Sequence, residues 1–361
     1  QLTGTISNDV YRCNALFEFN TDMNIFHGTI PSSMGSMQLY MLKIDNNYMS
    51  GTIPDSFSTM YSIRTLMLYS NFFTGHLDNL FSCTTQYELA AIDVSDNNFS
   101  GPIPKQIFNL TMLRSLSLAM NCFTGRLPDE ICYADGLEVL DFDGLTSGKG
   151  CRGPEASSIR KITGNRFFYI SKSLEGSIPE CLFSLSNLTQ VYISGNGIAG
   201  RIPHIKEPCN SSLTALALSN NRLSGTIPME IQHLPKLSAL HLSNNRLSGT
   251  IDSMNYTHLL QNQRLTRTST SNEEIEEFDE TTVSLNNNRL SGPIPKEFTE
   301  SYDVNILAGN LFSCDTARDL PDSDPEKSHY ICGSTVLDIS MYVLVGYICI
   351  FIIALLIWKY V

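Results

Sequence analysis

The sequence predicts an α/β solenoid, in which every repeat adds one short strand to a parallel sheet on the concave side of a horseshoe. Three observations predict it. The stretch LSNNRLSGTIP at residues 218–228 returns as LSNNRLSGTI at 242–251 and as LNNNRLSGPIP at 285–295. Equivalent glycines lie 23 to 26 residues apart over most of the chain, and apolar residues alternate with polar ones before each turn. Repetition at this period overrides the two-domain expectation for 361 residues.

Each predicted strand has a core face and an outward face. In the repeat at residues 39–54, Leu42 and Ile44 are two positions apart and point into the core, whereas Lys43 and Asp45 face outward. An asparagine then turns the chain out of the strand, because its amide satisfies backbone groups that an apolar side chain would leave unpaired. This column contains Asn24, Asn47, Asn71, Asn97, Asn121, Asn196, Asn221, Asn245, Asn288 and Asn310.

The segment that returns each repeat to the next strand has helical spacing of apolar residues but is short, as in PMEIQHLPKL at 228–237. We predict one helical or 3₁₀ turn per repeat on the convex side. The glycine of each LxGxIP motif permits close backbone approach or positive φ, and the proline removes a hydrogen-bond donor. The strand is therefore expected to stop there.

The pattern LxxLxLxxNxLxGxIP resembles the plant-type leucine-rich repeat of receptor-like proteins and receptor-like kinases. The resemblance covers residues 2 to about 312 and is carried by eleven copies, whose glycines are Gly4, Gly28, Gly51, Gly75, Gly101, Gly125, Gly176, Gly200, Gly225, Gly249 and Gly292. It implies a right-handed leucine-rich-repeat horseshoe in a single-pass, receptor-like membrane protein.

Two insertions interrupt the period. The intervals Gly125 to Gly176 and Gly249 to Gly292 are 51 and 43 residues long, which places islands near 143–169 and 252–280. We expect the solenoid over 1–313 with an incomplete N-terminus, and a cysteine cap with an acidic juxtamembrane stem over 314–338. A transmembrane helix over 339–358 and the start of a cytoplasmic tail over 359–361 follow. The carboxylates within 322–326 are interpreted as part of an extended stem rather than as a cation site.

Ten cysteines and five Asn-x-Ser/Thr sequons favour an oxidising, secretory compartment. A disulfide between Cys132 and Cys151 would staple the first island, and the resemblance implies that Cys314 and Cys332 close a C-terminal cap. The pairing of the other cysteines outside the predicted membrane span is left open: Cys13, Cys83, Cys122, Cys181 and Cys209. The expected glycosylation sites are Asn98, Asn109, Asn187, Asn210 and Asn255.

Residues 341–358, MYVLVGYICIFIIALLIW, carry no charge and are long enough to cross a bilayer core of roughly 30 Å. Lys359 follows directly and Asp338 precedes, so the positive-inside tendency places the repeats outside the cell. The sequence therefore predicts a single-pass plasma-membrane protein with extracellular N-terminal repeats.

No catalytic or phosphate-binding motif is present in the sequence, so we expect neither an enzyme nor a cofactor or metal site. The formal net charge of −12 argues against nucleic acid as a partner. Arg222, Arg246 and Arg289 form a column just after the asparagines, and we interpret them as solvated residues copied with their repeats.

Outward strand positions carry larger and more charged side chains near the N-terminus than near the C-terminus. Such side chains on a rigid sheet supply most of the energy and specificity of an interface. The predicted ligand-binding residues are Glu18, Asn20, Asp22, Lys43, Asp45, Met67, Tyr69, Asp93 and, after the first island, Tyr192. An ordinary solvated face is the alternative interpretation.

These features predict a cell-surface receptor-like protein that binds an extracellular peptide, glycan or protein and acts through a co-receptor or kinase. The lipid bilayer is a further expected partner, through the C-terminal helix. Two alternatives stay open. One is a structural or adhesion protein that uses the solenoid as a spacer, and the other is the ectodomain of a receptor kinase truncated at residue 361.

Overall fold

The computed structural model describes residues 1–148, 151, 174–251, 256, 259, 283–299, 303–314 and 320–332. Eleven parallel strands form one continuous sheet, which we call the concave sheet. In chain order along the sheet they are β2 (Glu18–Asn20), β4 (Met41–Lys43), β6 (Thr65–Met67), β8 (Ala91–Asp93), β10 (Ser115–Ser117), β12 (Val139–Asp141), β13 (Gln190–Tyr192), β15 (Ala215–Ala217), β17 (Ala239–His241), β19 (Val283–Ser284) and β21 (Val304–Asn305). The predicted parallel sheet of a solenoid is confirmed.

A second set of strands, which we call the lateral sheet, was not predicted. Its first part contains β1 (Thr3–Gly4), β3 (Ile25–Gly28), β5 (Tyr48–Gly51), β7 (Phe72–Gly75), β9 (Asn98–Pro102) and β11 (Cys122–Thr124), and its second part contains β14 (Ala199–Gly200), β16 (Arg222–Gly225), β18 (Arg246–Thr250), β20 (Arg289–Pro293) and β22 (Leu311–Ser313). These segments pair because the asparagine turn leaves the chain extended beside the same segment of the next repeat, where backbone groups of neighbouring repeats satisfy each other.

Short 3₁₀ turns cover the convex side, as the apolar spacing predicts. They span Asn8–Arg12, Ser32–Ser36, Asp55–Thr59, Lys105–Asn109, Asp129–Tyr133, Leu182–Ser184, Pro208–Asn210 and Met229–His233, and one short helix, α1, spans Lys296–Thr299. In the third turn, Phe57 is 1% exposed and the Met60 N–H donates to its carbonyl at 3.0 Å. Six of these eight turns bury at least one apolar side chain, whereas Asn8–Arg12 and Pro208–Asn210 bury none.

The core is a stack of identical positions from successive repeats. Leu42 and Ile44 are buried while Lys43 between them is half-buried on the outer face, as the alternation predicts. Behind the lateral sheet, Phe73 and Phe99 are fully buried and their ring centroids lie 6.2 Å apart. Burial of apolar surface between repeats is the main favourable contribution to folding.

The asparagine column holds neighbouring repeats together. Asn47 is 6% exposed, and its amide Nδ2 donates to the carbonyl of Thr21 in the preceding repeat at 2.9 Å. It also donates to the carbonyls of Ile44 and Asp45 at 3.2 and 3.0 Å. Its Oδ1 accepts the N–H of Phe26 at 2.9 Å. One side chain therefore satisfies backbone groups of two repeats, which is the role predicted for it.

Two of the motif glycines show why no side chain is tolerated there. Gly51 has φ +82° and Gly75 has φ +94°, in the region that favours glycine. A Cβ on either residue would stand 2.7 Å from the methyl group of a threonine in the preceding repeat, Thr29 or Thr52. Glycine thus provides the space into which the neighbouring repeat packs.

The predicted disulfide between Cys132 and Cys151 is wrong. The structure joins Cys132 to Cys181, with Cα atoms 5.6 Å apart, and Cys122 to Cys151, with Cα atoms 5.4 Å apart. Cys132 lies in a convex 3₁₀ turn and its partner lies in the next convex segment, whereas Cys151 lies beside β11 of the lateral sheet. Because Cys132 and Cys151 lie on different sides of the solenoid, they do not meet.

Residues 320–332 belong to the predicted cysteine cap, but the acidic stretch 322–326 packs against the solenoid instead of forming an extended stem. The carboxylate of Asp324 is 4% exposed and accepts the N–H groups of Ile306 and Leu307 at 2.6 and 3.0 Å. A disulfide joins Cys314 to Cys332, the pair implied by the resemblance. The sequence interpretation failed because it counted Asp324 as a solvated charge, whereas the carboxylate accepts backbone N–H groups at the end of the solenoid.

Residues 143–148 of the first predicted island lie within the described chain and pack against the solenoid, since Phe123 N–H donates to the Leu145 carbonyl at 2.8 Å. The remainder of that island except Cys151, nearly all of the second island and the predicted membrane span at 341–358 lie outside the described residues. Within the described part of the chain, no helix has the length and apolarity needed to cross a bilayer.

Candidate ligand-binding site

The first four strands of the concave sheet bring most of the predicted site residues together. Their register places Asn20 beside Lys43, Lys43 beside Met67, and Met67 beside Asp93. Neighbouring strands are about 4.8 Å apart, so these side chains form one row across the sheet. Glu18 lies at the start of β2, two residues before Asn20.

A second row follows the strand ends and contains Asp22, Asp45 and Tyr69. It begins with an ion pair between the rows, in which Lys43 Nζ lies 3.9 Å from Asp22 Oδ2 and both side chains are about one-third exposed. The pair is open to solvent, so it contributes little to stability and leaves both groups accessible to a ligand.

Asp45 is the least exposed residue of the site, and Tyr69 lies beside it. The phenol of Tyr69 faces the Asp45 carboxylate, and burial together with the interaction with this carboxylate raises the pKa of Tyr69 to about 12. Asp45 is only 1% exposed, although the alternation predicted a side chain that faces outward into solvent. It lies on the outer face but is covered by its neighbours. Its Oδ2 accepts from Asn46 Nδ2 at 3.1 Å, while its buried Oδ1 has no hydrogen-bond partner among the described residues.

Asp93 ends the N-terminal row. Its Oδ1 accepts the backbone N–H of Ser95 at 2.9 Å and the Ser95 hydroxyl at 2.6 Å. Burial raises the pKa of Asp93 above its usual value, and the two bonds from Ser95 act in the opposite direction. The carboxylate is therefore fixed in position and only partly solvated, which suits it to accept a hydrogen bond from a ligand.

Tyr192 does not join this group. It lies three strands beyond Asp93, because β10 and β12 stand between β8 and β13. Its neighbours are carboxylates that the sequence analysis missed, Asp141 and Asp143. Burial and these two charges raise the pKa of the Tyr192 phenol. The Ser117 hydroxyl donates to Asp141 Oδ2 at 2.9 Å, which extends the polar row toward Tyr192.

A pattern in the sequence was sufficient to find Asp141. Leu140 and Phe142 repeat the core alternation of the other strands, and both are fully buried. Asp141 between them is therefore an outward strand position. It was missed because the first island was placed at 143, directly after this strand.

The C-terminal strands of the concave sheet carry mostly small side chains in the same rows, with His241 as a larger exception. Ala215 and Ala217 are 8% and 7% exposed, and the hydroxyl of Ser243 donates to that of Ser219 at 3.0 Å. The contrast predicted between the two ends of the sheet is present in the structure.

Three of the predicted glycosylation sites, Asn109, Asn187 and Asn210, are exposed, and Asn98 is half-buried in β9. Asn255 lies outside the described residues. Among the described cysteines, Cys13, Cys83 and Cys209 are free and exposed. Glycan attachment stays a prediction.

Comparison with known proteins agrees with this architecture. Three segments, 88–110, 112–134 and 212–234, match the Leucine Rich Repeat family. A probable LRR receptor-like serine/threonine-protein kinase of Arabidopsis thaliana is 32% identical over 91 residues, which are 25% of this chain and 9% of that protein. The chain thus folds as a leucine-rich-repeat solenoid that is similar to plant receptor kinases.

Solved structures extend the likeness along most of the chain. A crystal structure of PEPR1–AtPEP1 is 26% identical, with a TM-score of 0.59, and covers 88% of this chain and 42% of its own. A crystal structure of a TDR receptor is also 26% identical, with a TM-score of 0.60, and covers 88% of this chain and 51% of its own. This chain therefore spans about half the length of these receptors or less.

Proposed function

We propose that this chain is a cell-surface receptor-like protein that binds an extracellular ligand across the N-terminal concave strands and acts through a co-receptor or kinase partner. One observation carries the proposal: Lys43, Met67 and Asp93 stand in register on neighbouring strands, beside Tyr69. A fixed cation, a thioether, a carboxylate and a phenol on a rigid sheet combine the apolar anchors and the directional charges that recognition needs.

The receptor class of the similar proteins supports this function, since the relative in Arabidopsis thaliana is named a receptor-like kinase and PEPR1 is seen with AtPEP1. The three disulfides suit an oxidising, extracellular compartment. Membrane attachment through 341–358 completes the proposed topology, with the repeats outside the cell.

The charges of the site indicate the ligand chemistry. The site residues include four carboxylates, Glu18, Asp22, Asp45 and Asp93, and a single cation, Lys43. A complementary ligand therefore carries net positive charge. Of the three ligand classes considered, an extended basic peptide fits best, because it can cross several strands and present several cations.

The test is selection of a random peptide library displayed on phage against the purified full chain in detergent micelles. We expect enriched peptides to carry basic residues and to bind saturably. Binding should weaken about tenfold or more in Tyr69→Ala and Asp93→Asn, and should be retained in His241→Ala, a matched substitution in the C-terminal part of the same sheet.

Equal loss in all three variants would contradict the proposed location of the site. Adhesion to cell-wall polymer without saturable peptide binding would favour the structural alternative, in which the solenoid is a spacer. The two outcomes can be distinguished. Equal loss in the variants means that the peptide binds elsewhere, whereas absence of saturable binding means that no peptide is bound.

A further inference from the structure

An exposed column of apolar side chains runs along the first part of the lateral sheet, outside the proposed ligand site. Ile25, Tyr48 and Phe72 are the first residues of β3, β5 and β7 and are 38%, 56% and 41% exposed. The rings of Tyr48 and Phe72 are nearly parallel, with an interplanar angle of 25° and centroids 6.0 Å apart. The two rings therefore form one apolar surface that is open to solvent.

The scaffold does not require aromatic side chains at these positions. The buried apolar residue of each strand is the next one along, as in Met49 and Phe73, which are both fully buried. At the position of Tyr48, the C-terminal repeats carry exposed arginines: Arg222, Arg246 and Arg289. Because exposed apolar patches on a protein surface mark contacts, an occupant is expected over the aromatic pair.

Asn98, the first residue of β9, continues the same column. Thr74 pairs with Asn98, just as Ser50 pairs with Phe72. Phe72 and Tyr48 each lie two positions before the paired residue of their own strand, and therefore on the same face of the sheet. Asn98 thus stands diagonally beside Phe72 in the way that Phe72 stands beside Tyr48, whose ring it contacts.

The opposite side of Asn98 is closed by the protein. Cys122 begins the next strand of the sheet, β11, and is bonded to Cys151. The backbone of Gly148 packs there as well, since a Cβ on Gly148 would stand 2.7 Å from the carbonyl oxygen of Asn97. The side of Asn98 that faces the aromatic pair is therefore the open side.

We propose that Asn98 carries an N-linked glycan whose first sugars lie over the rings of Phe72 and Tyr48. Asn98 begins the sequon NFS at 98–100. The C–H groups on one face of a sugar ring pack on an aromatic ring, while the sugar hydroxyls stay in water. The strands β3, β5, β7, β9 and β11 contain no Asp, Glu, Lys or Arg, so the surface suits a neutral sugar chain.

Attachment is a group transfer from an oligosaccharide linked to a lipid through pyrophosphate. The amide nitrogen of Asn98 bonds to C1 of the first sugar and loses one proton, the bond from C1 to the pyrophosphate oxygen breaks, and the lipid pyrophosphate leaves. The amide keeps one N–H and its carbonyl oxygen for contacts with the protein. Glycosylation requires passage through the secretory pathway, which the three disulfides support, and is independent of ligand binding at the concave sheet.

The small size of the apolar surface favours sugars over a protein partner. An aromatic side chain has roughly 150–250 Å² to bury, so two rings at about half exposure offer about 200 Å². A stable protein interface buries about 800 Å² on each partner. Sugar rings are similar in size to the aromatic rings and can cover such an area.

The first measurement detects the glycan. A signal peptide directs the full chain to the secretory pathway of cultured eukaryotic cells, and the protein is purified in detergent micelles. Peptide mass spectrometry before and after treatment with peptide-N-glycosidase F shows which sequons are occupied. We expect a glycan on Asn98, and its absence would overturn the proposal.

Hydroxyl-radical footprinting then measures whether the glycan covers the rings. In Ser100→Ala, which removes the sequon while keeping its asparagine, oxidation of Tyr48 and Phe72 should rise about twofold, because the sugars cover about half of each exposed ring. The control Thr111→Ala removes the sequon of Asn109, which ends a convex 3₁₀ turn, and should leave both oxidation rates unchanged.

Circular dichroism checks that Ser100→Ala folds, and Asn98→Gln is a second variant without the glycan. Equal oxidation of the two rings in the glycosylated parent and in a folded variant would overturn the proposed contact. Loss of the glycan should also lower the melting temperature by about 2 °C. This decrease should vanish in the Tyr48→Ser/Phe72→Ser background, because the two changes are coupled only if the sugars touch the rings. A decrease of the same size in that background would contradict the contact as well.

Discussion

The two ends of the concave sheet share one scaffold and differ in what they display. In both, a buried leucine or isoleucine alternates with an outward side chain, and an asparagine closes the strand. At the N-terminal end the outward row contains Lys43, Met67 and Asp93, and at the C-terminal end it contains Ala217, His241 and Ser284. The comparison indicates that the buried positions fix the fold while the outward positions vary without disturbing it.

The largest predicted effect tests whether the scaffold is the same at both ends. Asn121→Ala leaves the carbonyls of Val94, Leu118 and Ala119 and the N–H of Phe99 without their buried partner. Asn221→Ala removes the same kinds of bonds in a C-terminal repeat. We expect each to lower the free energy of unfolding by ~3–5 kcal/mol, measured by chemical denaturation. Markedly unequal losses would show that the ends are not equivalent scaffolds.

The next largest effect on stability concerns the disulfide between the N-terminal and C-terminal parts of the solenoid. The disulfide from Cys132 to Cys181 spans 49 residues of sequence across the first island. The double variant Cys132→Ser/Cys181→Ser should lower the free energy of unfolding by ~2–4 kcal/mol, chiefly because the unfolded chain regains freedom. Since repeats are coupled only to their neighbours, the thermal transition should also broaden. An unchanged midpoint would mean that the island is held by other contacts.

A smaller effect on stability is predicted at the N-terminal end of the concave sheet. Tyr69→Phe removes the hydroxyl that faces the Asp45 carboxylate and should lower the free energy of unfolding by ~1 kcal/mol at neutral pH. Because the folded pKa of about 12 exceeds the ordinary value of 10.0, the stability that this phenol contributes is fully present below pH 10 and is lost as pH rises through 12. A difference titration at the phenolate absorbance band should show one group fewer ionising near pH 12 in the variant.

Tyr48→Phe is the matched control, since the Tyr48 side chain is 56% exposed. It should leave stability at neutral pH unchanged. Equal titration of both variants near pH 12 would contradict the assignment of that ionisation to Tyr69.

The smallest predicted effect is an increase in stability rather than a loss. The raised pKa of Asp93 means that the folded protein disfavours its carboxylate, so the stability linked to this group is present at low pH and is lost as pH rises through the folded pKa. Asp93→Asn keeps an oxygen for both bonds from Ser95 and should slightly raise the melting temperature at pH 7. A decrease would show that the negative charge itself stabilises the fold.

Much of the fold was predictable because its determinants are local. The alternation of Leu42, Lys43 and Ile44 gives the strand and its faces, and the repeat period gives the sheet. The lateral sheet was not predicted, because its strands follow from pairing between repeats and its residues read locally as a turn. The partner of Cys132 was wrong for a related reason: separation along the chain does not say on which side of the solenoid a cysteine lies.

Much of the candidate site was predictable from the same alternation, which placed Lys43, Met67 and Asp93 in one row. The burial of Asp45 was not predictable from the alternation, because this burial depends on the side chains of neighbouring repeats. Tyr192, which was predicted as a ligand-binding residue after the first island, is separated from the other site residues by two intervening strands.

The fit between threonine methyl groups and glycines has a consequence for how such a gene can change in length. Gly51, Gly75 and Gly292 each receive a threonine from the preceding repeat, and Gly292 does so across the insertion after β18. Duplication or deletion of whole repeats preserves these contacts, because each glycine still follows a threonine at the same repeat position. An insertion shorter or longer than a whole repeat preserves the threonine–glycine contacts only if the extra residues form a loop outside the solenoid. The chain must then resume at the repeat position where it left. Tolerated variants should therefore differ by complete turns or by looped-out additions.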